Sequence, residues 1–206
     1  MSKREKYDKE VIKLERKIGV PERFSLNLLK SGNDWFFIIV LHSFIEAVLT
    51  ELITKAIGRD ELEDIIKRLE MINKIEYAKS LSLLCKEARR FIYKLSEIRN
   101  NFVHNIKSIS MNLDQYVKNL NSDQLKNFIK AQKYGIDKEF EINGTKVERD
   151  DFIKENPRIA MWSCGYSVII EISMGIGIEI EKQKLEELKM IIVKAVISDM
   201  KRRTSK

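Results

Sequence analysis

Proline is nearly missing from this chain: it occurs twice in 206 residues, and glycine only eight times. A fold of many short strands needs turn residues at close intervals, so this scarcity excludes an all-β architecture and leaves room for long helices. Cysteine is equally sparse. Cys85 and Cys164 stand far apart in apolar-rich segments, which excludes a disulfide framework and fits a reducing, cytoplasmic setting. Two histidines and two scattered cysteines make no zinc site. No Gly-x-Ser-x-Gly, Walker or Gly-x-Gly-x-x-Gly pattern occurs, so no metal and no cofactor are expected. The first residues, Met1 to Arg16, are highly charged and carry no apolar core of a secretory signal. The most apolar stretch begins at Trp35 but includes His42, Glu46 and Glu51. A bilayer would penalise those groups by several kcal/mol, so the stretch reads as a buried core helix and no membrane association is expected.

What is present is an ordinary globular composition, 44% hydrophobic and 33% charged, with enough length to bury one core. A single domain over 1–206 is expected. The formal charge is +7, ending in Lys201-Arg202-Arg203. Such a protein attracts polyanions, which makes nucleic acid a natural partner.

Helical signals dominate. A charged helix over about Lys3 to Ile18 stops at Gly19-Val20-Pro21, closing a segment 1–20. The segment 21–107 holds the expected core. In it a helix starts after Asn33-Asp34, either of which can cap it, and runs to Ile57 before Gly58. A shorter one, about Asp60 to Met71, precedes a long one from about Ile75 to Lys107. The segment 108–156 reads as an insertion, with helical spacing over Leu113 to Lys133. It also contains a β-hairpin near 139–148, because Asn143-Gly144 sits between alternating residues. A two-residue loop there puts Phe140 opposite Val147 and Ile142 opposite Thr145. Two closing helices, Pro157 to Met174 and Ile178 to Arg203, are expected over 157–203, on either side of Gly175-Ile176-Gly177. That glycine pair signals a break or a close helix approach. Trp35, Trp162 and Tyr166 are spaced as core or interface residues, and the run from Glu181 to Lys194 reads as a solvated helix face.

One helix breaks the usual pattern. On a wheel of about 100° per residue, Phe91, Leu95, Ile98, Phe102 and Ile106 form a core-facing stripe. Arg99 falls at its edge, between Leu95 and Val103, where a guanidinium is costly unless paired or used. Asn100 and His104, four residues apart, share the polar flank, and His104 lies about 140° around from Arg99. One straight helix cannot easily aim both groups at one phosphodiester. Two copies across a twofold axis could gather them in a shared cleft, so a homodimer is expected.

Arg99-Asn100-Asn101-Phe102-Val103-His104 resembles the Arg-x(4–6)-His signature of the HEPN superfamily, in which a polar residue often follows the arginine. The motif falls late in a long amphipathic helix, preceded by an apolar helix bearing an inward carboxylate, Trp35 to Ile57 with Glu46. This arrangement also looks like the mannitol-repressor-like and related uncharacterised branches. The likeness is good over about 33–107, with compatible helices over 157–200. It implies an all-α bundle of the HEPN type with the hairpin as an insert. It also implies an RNA endonuclease that uses no metal, in a toxin–antitoxin or anti-phage setting. In that chemistry the ribose 2′-hydroxyl attacks the adjacent phosphate. His104 would be general base or acid. Arg99 would hold the phosphate. Asn100 would orient His104 or the RNA backbone. A neutralising or regulatory protein partner follows from the same likeness. One HEPN subgroup, the toxins paired with nucleotidyltransferase antitoxins, has tyrosine two residues after the histidine. Ile106 stands there, which argues against that pairing. The runner-up is a non-catalytic HEPN-fold regulator or antitoxin. A plain helical oligomerisation module is the third reading.

His42, Ser43, Glu46 and Thr50 form a narrow polar stripe on the apolar helix. Buried polar groups need partners, so the stripe reads either as a satisfied core network or as support for the motif helix. An Arg99–Glu46 pair would serve both. The simpler reading pairs Arg99 with Glu51 or Glu97 and leaves His104 solvated.

Overall fold

A computed structural model describes residues 3–104, 112–142 and 144–204, and the side chains of 8–59, 61–103, 112–142 and 144–194. The fold is all-α with one small antiparallel hairpin. Its centre is α3 (Asp34–Ile57), which buries a broad face, from Phe37 and Leu41 to Leu52 and Ile53, and leaves a narrow strip at Phe36, Ser43 and Ala47 exposed. So wide an apolar face must be covered by several helices. Although α3 is long and apolar enough to cross a membrane, 61% of its most apolar window lies inside the bundle, so its apolarity is spent on core packing. Asn33 caps it, accepting from Trp35 N at 2.7 Å and Phe36 N at 3.3 Å. Gly58, at φ 71, closes its C-terminal end.

Around α3 pack the short α2 (Phe24–Leu28), α4 (Glu63–Lys67), α5 (Met71–Ser80), α6 (Lys86–His104) and α10 (Pro157–Thr204), while α1 (Lys3–Lys17) lies against α10. The core includes Val11 and Leu14 of α1, Phe91, Ile92, Leu95 and Ile98 of α6, and Met161 to Ile172 of α10. α2 has no signal in the sequence; the buried Glu15 holds its start, its carboxylate accepting from Arg23 N, Ser25 N and Ser25 Oγ at 2.6–2.9 Å. Over the far side lie α7 (Leu113–Lys118), α8 (Ser122–Ala131), the strands β1 (Glu139–Ile142) and β2 (Thr145–Glu148), and α9 (Arg149–Glu155). The hairpin has the expected register, Phe140 opposite Val147 and Ile142 opposite Thr145. Gly144 adopts φ 80 in its turn; Asn143 lies outside the described residues.

The shorter helix expected over about Asp60 to Met71 is a 3₁₀ turn, Asp60–Leu62, followed by α4, and Met71 already opens α5. Three further boundaries differ from the sequence reading. The long helix expected from Ile75 is two helices, α5 and α6. Ser82 takes a left-handed φ of 55, and Leu83 N reaches Ala78 O at 2.8 Å, closing α5 as a glycine would. The backbone N–H of Cys85, just before α6, donates to the Glu171 carboxylate at 2.8 Å. Second, the helical stretch after Leu113 divides at Asn121, which caps α8 in a reciprocal box with Gln124. Third, Gly175-Ile176-Gly177 does not break the last helix: α10 runs unbroken for 48 residues. Gly175 instead permits close approach, since a Cβ there would stand 3.0 Å from Leu52 Cδ1. At Gly165 a Cβ would lie 2.9 Å from Leu41 Cδ1. The packing of α3 on α10 thus offsets the helix penalty of glycine, about 1 kcal/mol each.

Trp162 and Tyr166 stack at 5.5 Å between ring centres and tie α10 to its neighbours. The Trp162 indole donates to Ser25 O at 2.8 Å, and the Tyr166 hydroxyl to Asp8 at 2.7 Å.

Gly135 has φ 72, and a Cβ there would lie 1.9 Å from Ser167 Oγ. Gly135→Ala should therefore lower unfolding stability by about 1–3 kcal/mol. Gly177→Ala, in helical backbone with nothing within 4 Å of a Cβ, should raise it by about 0.5–1 kcal/mol. Urea denaturation of the two variants beside the parent measures both, and equal midpoints would refute the packing account of Gly135.

Candidate functional site at the end of the motif helix

The motif helix α6 lies antiparallel to α3, so its last turn meets the start of α3. There the Trp35 indole donates to Phe102 O at 3.1 Å, satisfying one of the four final carbonyls that a helix leaves unpaired. Asp34 binds Leu113 N at 2.7 Å and Arg158 Nη1 at 2.8 Å. The end of α6 is thereby held against α3, α7 and α10. Phe36 is 50% exposed and Val103 38%, which leaves apolar surface beside this junction.

Arg99 is half-buried on the side of α6 that faces α3. Its Nη1 donates to Asn100 Oδ1 at 3.0 Å. Each carboxylate that could have neutralised it has another partner. Glu46 takes Lys74 Nζ at 2.8 Å, Glu97 takes Lys94 at 2.6 Å, and Glu51 takes Lys17. The anticipated Arg99–Glu46 pair is therefore not formed, nor are pairs with Glu51 or Glu97. Among the described residues Arg99 has no ion-pair partner.

His42 is buried opposite Ser96. Ser96 Oγ donates to Ile92 O at 2.9 Å, so it accepts from His42 Nε2 at 3.2 Å, which fixes the Nε2–H tautomer. Nδ1 then faces Glu46 Oε2 at 3.9 Å. Burial holds the His42 pKa below its ordinary value; Glu46 opposes this, while Arg99 and Lys74 add to it. The polar stripe on α3 is thus a partnered network between α3, α5 and α6.

Lys74 is the group that the sequence reading missed. Only 2% exposed, it donates to Glu46 Oε1 and to Lys67 O. Its signal was a lysine in line with Met71, Ile75 and Ala78, all buried on one side of α5. A helix taken to begin at Ile75 leaves that lysine outside the pattern. Glu46 and Lys74 open onto a cleft of about 510 Å³, lined also by Ser43, Thr50, Lys17 and Lys67. Its lysines are matched by glutamates, Lys67 by Glu63 at 2.7 Å, so it presents no surplus charge.

On the other flank of α6 lies a cleft of about 310 Å³ lined by Lys94, Glu97, Asn101, Tyr116, Asn119 and Gln124. Asn100 is exposed. His104 is the last residue of α6, and its side chain lies outside the described residues, as does Ile106. Position 104 is three residues after Asn101 and seven after Glu97, so it shares their flank rather than that of Arg99.

Cys85 is no activated nucleophile. Burial and the adjacent Glu171 push its thiol pKa up, and the thiol reaches Glu171 at 3.6 Å. Among the described residues no group of histidine, cysteine or acidic side chains converges as a metal site. No protein-family model, curated protein or solved structure matches the chain.

A depressed His42 pKa makes stability depend on pH. The unfolded chain takes up its proton near pH 6.5 and the folded chain only below that. This contribution is complete above about pH 6.5 and is lost as pH falls through the window beneath it. His42→Gln should therefore lose less stability than the parent between pH 7.5 and 5.5, measured as urea midpoints. An identical pH dependence in both would remove His42 from the account.

Proposed function

We propose that this protein is a cytoplasmic RNA endonuclease of the HEPN type, with Arg99 and His104 as its catalytic pair and Asn100 beside them. The observation that carries the reading is half-buried Arg99, left without a carboxylate among the described residues on the helix that ends in His104. A permanent cation held on an apolar edge and not neutralised internally suits an external anion such as a phosphodiester. The net charge of +7 favours the same class of partner.

In this chemistry the ribose 2′-oxygen forms a bond to the adjacent phosphorus while the bond from phosphorus to the 5′-oxygen breaks. A base takes the 2′-hydroxyl proton and an acid supplies one to the leaving 5′-oxygen, giving a 2′,3′-cyclic phosphate and a 5′-hydroxyl. His104 serves as base or acid, and Arg99 offsets charge growing on the phosphate oxygens. His42 and Glu46 hold positions from which they support α6 rather than touch RNA. The two catalytic groups occupy different flanks of a straight helix. A second copy docked at the end of α6, over Phe36 and Val103, would therefore complete one site from two chains. The role fits a toxin or anti-phage setting with a neutralising protein partner.

A second reading, a non-catalytic HEPN-fold regulator or antitoxin, draws support from the exposed apolar side chains of α10. Incubation of total RNA and tRNA with purified protein in EDTA separates the two. Cleavage leaving cyclic-phosphate ends, reduced at least about 100-fold by His104→Ala and by Arg99→Ala, is the expected result. No cleavage by any equally folded form would favour the regulator. For the composite site, mixing Arg99→Ala with His104→Ala protein should restore about a quarter of parental activity, because mixed dimers hold one intact pair. No recovery on mixing would mean that each chain works alone.

A further inference from the structure

The C-terminal part of α10 leaves the bundle. The last hydrogen bond from α10 to another element among the described residues is Gln183 Nε2 to Lys55 O, at 2.6 Å. From Lys184 to Lys194 every residue is exposed. Its polar side is a solvated face, as the sequence suggested, with pairs spaced by three residues: Lys182–Glu179 at 2.7 Å, Lys184–Glu181 at 3.0 Å and Lys189–Glu186 at 2.6 Å. The rest is apolar. Ile178, Leu185, Leu188, Ile191 and Ile192 are each 54–64% exposed, and Val193 is 50% exposed.

Ile178, Leu185, Leu188 and Ile192 follow one another at intervals of seven, three and four residues, the spacing by which one helix packs along another. At roughly 100 Å² for each half-exposed side chain, these four with Ile191 beside them present about 500 Å², while Val193 lies on the polar side. That stands at the upper end of what a monomer ordinarily leaves in water and is more than half of the roughly 800 Å² per partner of a stable interface. The sequence then continues Ala195-Val196-Ile197, and the backbone stays helical to Thr204.

The charges select the occupant. From 179 to 187 the acids Glu179, Glu181, Glu186 and Glu187 outnumber Lys182 and Lys184. From 189 to 203 the cations Lys189, Lys194, Lys201, Arg202 and Arg203 outnumber Asp199. Laid antiparallel, two copies set the acidic part of each against the basic part of the other. Laid parallel, they set like on like. We infer that the free part of α10 is a self-association surface, on which a second copy of this chain pairs antiparallel about a twofold axis.

This contact stands apart from the proposed activity and does not rest on it. Arg158, near the start of α10, binds Asp34 at the beginning of α3, close to the end of α6. The free part of α10 emerges beyond the opposite end of α3, where Gln183 meets Lys55. Pairing there cannot complete a site at His104, so either contact can fail without the other.

The test compares the full-length protein with a Leu188→Glu/Ile192→Glu variant by light scattering coupled to size exclusion, at about 50 μM. The parent particle should have at least twice the mass of the variant, more if a second contact also joins copies at the other end, with helical circular dichroism and melting unchanged. A spin label at Thr204→Cys, in a Cys85→Ser background, reports the direction. Separations of tens of ångströms are expected for antiparallel helices, and under about 20 Å for parallel ones. Equal masses for parent and variant would overturn the inference, as would the short separation. Binding of the parent to anionic phospholipid vesicles without doubling of its mass would assign the surface to a membrane and overturn it too.

Discussion

Everything in this fold follows from the need to bury most of α3. A helix with Phe37, Ile38, Leu41, Ile45, Val48, Leu49, Leu52 and Ile53 wholly inside leaves water only a narrow strip at Phe36, Ser43 and Ala47, so several helices must cover the rest. The closest contact comes from α10, whose glycines at 165 and 175 let Leu41 and Leu52 approach where any side chain would intrude. The remaining polar groups on α3 cannot be left bare. His42 finds Ser96 on α6, and Glu46 finds Lys74 on α5. The same enclosure thus fixes how α6 lies, and with it where Arg99 points.

The order and type of the main helices and the hairpin were legible, because they rest on local signals. Asn33 before an apolar run, Gly58 after it, and Asn143-Gly144 between alternating residues act within a few residues of themselves. What was not legible rests on distant partners. Ser82 ends α5 in a conformation usually left to glycine. Gly175 and Gly177 look like a stop until Leu52 is seen to need the space at Gly175. Glu15, deep in the core, is satisfied by backbone eight and ten residues away.

The candidate site was legible in part for the same reason. Periodicity alone places Arg99 on an apolar edge and His104 on another flank of the same helix. It cannot say which acid stands beside the arginine. The structure assigns Glu46 to Lys74, a partner 28 residues off in sequence, and Glu97 to Lys94. Releasing Arg99 from internal pairing is therefore a property of the whole bundle, set by which lysine reaches each glutamate first.

The length of α10 has a mechanical meaning. At 48 residues and about 1.5 Å each, it is a rod of roughly 70 Å. One end is anchored beside the start of α3 through Arg158 and Asp34, while the other projects past the end of α3. It works as a ruler, because whatever the tip engages is held at a set separation from the end of α6. Adding or removing one turn between Lys184 and Lys194 would change that separation by about 5.4 Å and swing the tip only slightly about the axis, without disturbing a residue of the core.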